Sequence, residues 1–185
     1  MQLAYRLIAR FIAKRPHLVD ALIARARRTP YSTIMSRDGQ REYMRRAWLF
    51  NAYQDQDNQP IERNWFMRLL PSIRIHEIML KDDDEHLHDH PWNAQTLILR
   101  GWYVEQRENP EFDACIPEHP GNRSTIVTMR EAGDSARVNF GEFHRIIGKA
   151  EGPVVTLFIT FRYGGVWGFK VNGQKVPWRE YLGIE

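Results

Sequence analysis

Short extended runs separated by turn residues constrain the fold of this 185-residue chain more than any other feature of its sequence. Asp38-Gly39 and Asn172-Gly173 each lie between two such runs, and these dipeptides are typical of tight β-hairpins. The runs occupy residues 31–35, 43–50, 73–80, 96–99, 102–104, 124–129, 136–140, 154–161, 167–171 and 174–178. Residues 41–53 also fit a helix, but many short strands with regularly spaced turns predict an all-β sandwich or barrel.

The first 30 residues differ from the rest of the chain in charge and periodicity. They hold seven basic residues and one acid, a net charge of +6, whereas the remaining 19 bases and 22 acids give −3. Apolar residues recur at three- and four-residue steps, as in an amphipathic helix, at Leu3, Leu7, Ile8, Phe11 and Ile12. Pro16 would end this helix and start a second one. We therefore predict a basic helical arm at residues 1–30 and a β-barrel domain at residues 31–185.

The charge distribution and the single cysteine limit the partners and the compartment. A uniformly basic nucleic-acid-binding domain would not divide its charge in this way, so no specific nucleic acid is expected as a partner. The apolar face of the arm is expected to cover the body of the same chain or a second subunit, which would give a homodimer. A membrane-surface helix, a nucleic-acid arm and a partner-binding helix are the alternatives. With Cys115 alone and no apolar run long enough to span a bilayer, we predict a cytoplasmic protein without a transmembrane segment.

A histidine run at residues 86–90 suggests a metal site. His86, His88 and His90 follow one another at a spacing of two, which on a β-strand directs their side chains to one face. Histidines can also cluster on a polar strand face without binding anything. A metal site therefore requires another ligand from a distant part of the chain.

Such a ligand is found in a second motif. Gly133, Asn139, Gly141, His144 and Gly148 follow the spacing G-x5-P-x-G-x2-H-x3-N, with Asn139 and Gly148 replacing its proline and asparagine. This spacing resembles the second motif of the cupin superfamily. A resemblance to this superfamily implies a double-stranded β-helix, the cupin jelly-roll barrel, here preceded by the amphipathic arm.

The first cupin motif, H-x-H-x3-4-E-x6-G, resembles His88-Asp89-His90 followed by Gln95 and Gly101. The resemblance implies that His88, His90 and His144 bind a divalent transition metal, with iron preferred over zinc, nickel or manganese. The usual glutamate ligand is missing, because Ala94 or Gln95 stands in its place. Either Gln95 coordinates through its carbonyl oxygen, or the site has three histidines and open positions.

Three-histidine sites of this type resemble those of the thiol dioxygenases, which share His88-Asp89-His90 and His144-Arg145. Their Ser-x-His-x-Tyr relay is replaced here by residues 156–160, which contain neither a histidine nor a tyrosine. Thiol oxidation by the same mechanism is therefore not expected, whereas the three histidines are compatible with iron and dioxygen chemistry on another substrate. The chain also resembles small uncharacterised bacterial and phage cupins at residues 88–92 and 176–182.

Candidate substrate-binding residues complete the predicted site. By strand alternation, Arg162 could face the barrel interior and bind a carboxylate or phosphate, although most arginines are exposed. His86 and Trp92 could line the mouth of the barrel, and Glu105 and Glu77 are taken as surface residues. The predicted function is that of a metal-binding cupin, either a dioxygenase acting on a small polar substrate or a non-catalytic protein. The non-catalytic protein would bind a metal or small-molecule ligand and have a regulatory, scaffold or assembly role through its arm.

Overall fold

The computed structural model describes residues 1–112, 115 and 123–184, and within them antiparallel strands dominate. The strands are β1 Pro30–Met35, β2 Glu42–Phe50, β3 Ser72–Ile78, β4 Trp92–Arg100, β5 Trp102–Glu108, β6 Thr125–Glu131, β7 Ser135–Val138, β8 His144–Lys149, β9 Val154–Tyr163, β10 Gly168–Val171 and β11 Gln174–Pro177. The helices are α1 Gln2–Ala13, α2 Pro16–Ala26, α3 Trp65–Leu69 and α4 Trp178–Leu182. The predicted all-β fold class with small N-terminal helices is confirmed.

Two sheets pack face to face around the interior. One has the strand order β1-β2-β3-β9-β4-β7 and the other the order β6-β5-β8. Ile78, Ile98 and Val154 of the larger sheet pack against Tyr103 and Ile146 of the smaller one. Strand alternation therefore directs every second residue of β3, β4 and β9 into the space between the sheets.

The two predicted hairpins form where the turn dipeptides indicated. Strands β1 and β2 pair across the turn that contains Asp38-Gly39, so residues 42–50 are strand and not helix. Strands β10 and β11 pair across Asn172-Gly173, whose φ angles of 50° and 81° are the left-handed values that a type I′ turn needs. The sequence analysis did not predict β8, α3 or α4.

The helical arm covers the outer face of the larger sheet. Ala9, Val19, Ile23 and Ala26 are buried in one core cluster with strand residues such as Leu97. Helix α1 ends before Lys14 and α2 begins at Pro16, so the helical arm is interrupted at Lys14 and Arg15, as expected before a proline. The arm therefore packs on the body of its own chain, and the homodimer stays a prediction, as does the division into two domains at residue 30.

The face of α1 that packs on the core combines Tyr5 and Ala9 with Ile12, one residue of the apolar stripe seen in the sequence. Leu3, Leu7, Ile8 and Phe11 are 48–70% exposed, whereas Ala9 is fully buried. The helix approaches the sheet through its small residue because a small side chain allows closer packing of the backbones. None of the helices in the described ranges has both the length and the apolar character needed to cross a bilayer.

Candidate metal centre

The three predicted ligands meet at a backbone pairing between the segment before β4 and the start of β8. The amide of His88 donates to the carbonyl oxygen of His144 at 2.9 Å, and the amide of His144 donates to that of His88 at 2.8 Å. His90 lies two residues further on, and its Nε2 is 2.9 Å from the Nε2 of His144. The ligand nitrogens of the three histidines all lie within 4.8 Å of one another.

Asp89, between two of the ligands, points the opposite way and anchors their segment. It is fully buried and accepts hydrogen bonds from the backbone amides of Gly168 at 2.7 Å and Gly141 at 3.1 Å, and from Nζ of Lys175 at 2.5 Å. Because adjacent residues of an extended chain point to opposite sides, fixing Asp89 also fixes the direction of His88 and His90. One carboxylate therefore connects the ligand segment to the β10–β11 hairpin and to the turn before His144.

Glu105 on β5 sets the orientation of His144. Its Oε1 accepts a hydrogen bond from Nδ1 of His144 at 2.7 Å, which leaves the Nε2 lone pair directed at the other two histidines. The carboxylate is 1% exposed and also accepts from Arg107 at 2.8 Å and Arg130 at 2.5 Å. Burial alone would raise the pKa of Glu105, but the hydrogen bonds from His144 and Arg107 outweigh it and hold the pKa well below its ordinary value.

Burial keeps the other two imidazoles neutral. It lowers the pKa of His88 from 6.5 to about 4 and that of His90 well below 6.5. Neutral imidazole is the form that binds a metal. Three convergent imidazoles, without a carboxylate among them, fit a divalent transition metal such as iron, zinc, nickel or manganese.

The histidines line one side of a cavity of about 340 Å³ between the two sheets. Trp92, Phe158 and Trp167 form aromatic walls, and the ring of Trp92 stacks at 6.4 Å from that of His90. The predicted residues His88, His90, His144 and Trp92 are therefore brought together around one cavity.

Three other predicted residues are not brought to the metal centre. Gln95 lies on the opposite face of β4, where its side-chain amide donates to the carbonyl oxygen of Ala136 at 2.9 Å. Arg162 is exposed near the end of β9 and is not among the residues that line the cavity. Nδ1 of His86 lies 3.1 Å from the hydroxyl of Tyr181 on α4, outside the cavity wall.

The sequence analysis missed Arg74 and His76 and misassigned Glu105 and Glu77. Arg74 and His76 face the cavity from β3, while Glu77 points outward and binds Arg27 of the arm at 2.7 Å. Glu105 was taken as a surface residue but is buried beside His144. The available signal was the alternation of charged residues with Ile73 and Ile75 on β3, which is also typical of an exposed strand face.

The chain matches no protein family and no curated protein sequence. Among solved structures it is similar to a cupin-like protein from Thermotoga maritima, at 11% identity over 74% of this chain and 82% of the other, with a TM-score of 0.42. It is also similar to a cupin-2 domain from Rhodospirillum rubrum, at 13% identity over 70% and 67%, with a TM-score of 0.45. Hydroxypropylphosphonic acid epoxidase from S. wedmorenis is matched at 11% identity over 71% and 54%, with a TM-score of 0.39, so the chain spans about half of that enzyme.

The two facing antiparallel sheets and the histidine cluster agree with the cupin resemblance predicted from the two motifs.

Proposed function

We propose that this chain is a metal-dependent enzyme, of the iron oxygenase type, in which His88, His90 and His144 hold one divalent transition metal beside a substrate cavity. The observation that carries the proposal is the convergence of three imidazole nitrogens within 4.8 Å on the wall of a cavity large enough for a small molecule. Structural metal sites are closed by protein ligands, whereas catalytic sites keep positions open for substrate. A bound iron would supply Lewis-acid and redox chemistry at this wall.

The protein's own groups prepare the site for that chemistry. Glu105 holds the proton of His144 at Nδ1 and so keeps Nε2 available for the metal. Trp92, Phe158 and Trp167 restrict the entry of water and leave an apolar space in which a substrate would lie against the histidines. The substrate would be small, because the cavity measures about 340 Å³.

Elemental analysis of the purified protein tests the metal centre. We expect about one transition metal per chain after incubation with Fe(II) or Zn(II) and desalting, and loss of that metal in His88→Ala and His144→Ala. His17→Ala, a change at an exposed histidine of α2, is the matched control and should keep the metal. A folded wild-type protein without metal, or a folded His144→Ala variant that retains it, would contradict the proposal.

A second function is favoured by one observation on the arm. Leu3, Leu7 and Phe11 of α1 point away from the body and are more than half exposed, beside the basic side chains of the arm. A non-catalytic metal- or ligand-binding protein with a regulatory, scaffold or assembly role could use this surface. In that case, replacing the three residues together by serine would abolish the biological activity while leaving the metal content unchanged.

A further inference from the structure

A buried arginine without an acidic partner lies in the same cavity as the three histidines. Arg74 on β3 is 1% exposed, and in the described part of the chain it forms no salt bridge. Its Nε has no hydrogen-bond partner there. A buried charge is costly to the folded state unless it is paired, so this guanidinium needs an explanation.

The surroundings of Arg74 orient its guanidinium without neutralising it. The ring centroids of Trp92, Trp48 and Phe158 lie 4.6, 5.1 and 5.3 Å from its Cζ. Aromatic faces attract a cation and fix its plane, but they accept no strong hydrogen bonds in place of a carboxylate. Tyr53 adds a side-chain hydrogen bond to this guanidinium but no negative charge, so no carboxylate among the described residues balances the cation that borders the cavity.

Two further donor-bearing groups line the same part of the cavity. His76, two residues along β3, is 8% exposed, and its Nε2 also has no hydrogen-bond partner among the described residues. Arg46 on the neighbouring strand is half-buried and lines the cavity, with its Nε bound to the carbonyl oxygen of Ser32 at 2.8 Å. This end of the cavity is thus cationic.

Four acidic residues line the cavity, Asp82, Asp83, Asp84 and Glu105, and among the described residues none of them is within ion-pair distance of Arg74. Glu105 is bound to His144, Arg107 and Arg130, as described above. Asp82 accepts from the hydroxyl of Tyr43 and from the backbone amide of Ile146. Asp84 lies 3.9 Å from a guanidinium nitrogen of Arg37, and Asp83 is exposed.

We propose that Arg74, assisted by His76 and Arg46, binds the carboxylate of a small organic acid whose other end faces His88, His90 and His144. The planar fork of a guanidinium matches a carboxylate, which accepts two parallel hydrogen bonds. The aromatic walls between the cationic end and the histidines select an apolar or aromatic body for this acid. The orientation toward the histidines rests on the proposed function, whereas carboxylate binding does not depend on a metal.

Isothermal titration of metal-free protein with benzoate and with benzamide, its neutral analogue, tests the carboxylate site. We expect benzoate to bind at least tenfold more tightly than benzamide in the wild type and in His144→Ala. Arg74→Met should remove this preference, whereas Arg162→Met, a change at an exposed arginine, should retain it. Equal binding of the two probes, an unchanged preference in Arg74→Met, or tighter binding of inorganic phosphate than of benzoate would overturn the proposal.

The thermal stability of the ligand-free Arg74→Met variant separates binding from a structural role. If the guanidinium is kept for a ligand, replacing an unpaired buried charge by an apolar side chain should leave the Tm unchanged or raise it. A lowered Tm or an unfolded variant would show that the aromatic cluster needs the cation, and would count against the proposal. Carboxylate binding by a protein that takes up no metal would refute the proposed enzyme function while leaving this site intact.

Discussion

Replacing Glu105 by glutamine should lower both the affinity for the metal and the free energy of unfolding. The substitution keeps the shape of the side chain but removes the negative charge that accepts from His144, Arg107 and Arg130. The new amide group would face two guanidinium groups, and its oxygen is a weaker acceptor for Nδ1 of His144. The variant therefore changes the electrostatics around one ligand without opening a cavity.

The size of both effects follows from these contacts. Removing one partner of a buried charge pair costs about 3–5 kcal/mol. The side chains of Arg107 and Arg130 are 21% and 20% exposed, so water can solvate part of their charge when the carboxylate is lost. We therefore expect a decrease in the free energy of unfolding at the lower end of this range, about 3 kcal/mol. Loss of the group that orients a metal-binding histidine lowers the affinity for the metal by about 10–100-fold, or roughly 1.4–2.8 kcal/mol of binding free energy.

Competition with a chromophoric chelator measures the metal affinity, and urea denaturation of the metal-free protein measures the stability. Glu108→Gln is the matched control, because Glu108 lies three residues along the same strand and its side chain, 40% exposed, pairs with Lys170. The control should change stability by less than about 1 kcal/mol and leave metal affinity unaltered. If Glu105→Gln behaves like this control, the role assigned to Glu105 is refuted.

Three further predictions concern the arm, a buried histidine and the C-terminal hairpin. Ile23→Ala should lower the free energy of unfolding, measured by urea denaturation, by about 2–5 kcal/mol, because the side chain of Ile23 is buried against the sheet. Leu7→Ala, a change at an exposed residue, should alter this free energy by under about 0.5 kcal/mol. Burial lowers the pKa of His76 well below 6.5, so as the pH is lowered the unfolded state binds a proton before the folded state does. Below pH 6.5 the free energy of unfolding should therefore decrease by up to about 1.4 kcal/mol per pH unit. If the free energy of unfolding of a His76→Phe variant had the same pH dependence between pH 7 and 5, this prediction would be contradicted. In Gly168→Ala the new Cβ would lie 2.2 Å from a carbonyl oxygen of β11, so circular dichroism should detect a lower Tm, while Gly148→Ala, with its nearest neighbour at 3.7 Å, should melt close to the wild type.

The cluster of three histidines was predictable from the sequence because its signals are local and their spacing is specific. His88 and His90 are two residues apart in the segment before β4, which is paired at His88 only by isolated bridges, and His144 is marked by the glycines around it. Alternation along β9 suggested Arg162 as a residue of the barrel interior, but Arg162 is exposed and does not line the cavity. The same rule could not choose between Gln95 and its neighbour Thr96 as the cavity residue, because both faces of β4 are buried.

The cationic end of the cavity was not predictable for a related reason. The arm covers the outer face of the larger sheet, so β3 is buried on both sides and its charged residues cannot be assigned from alternation alone. Glu105 was taken as a surface residue and Arg74 was not singled out, since most charged side chains are exposed. Their burial depends on contacts between strands that lie far apart in the sequence, and a local pattern does not contain these contacts.

The reciprocal amide-to-carbonyl hydrogen bonds between His88 and His144 bear on the timing of metal uptake. Main-chain bonding joins the two ligand segments, so the polypeptide can reach its native geometry before any ion arrives. An ion could then enter and leave the finished protein without a folding transition, and its exchange rate would be independent of the global unfolding rate. The metal found in the site would then depend on which ions the cell supplies to a folded protein, and not on which ion was present during synthesis.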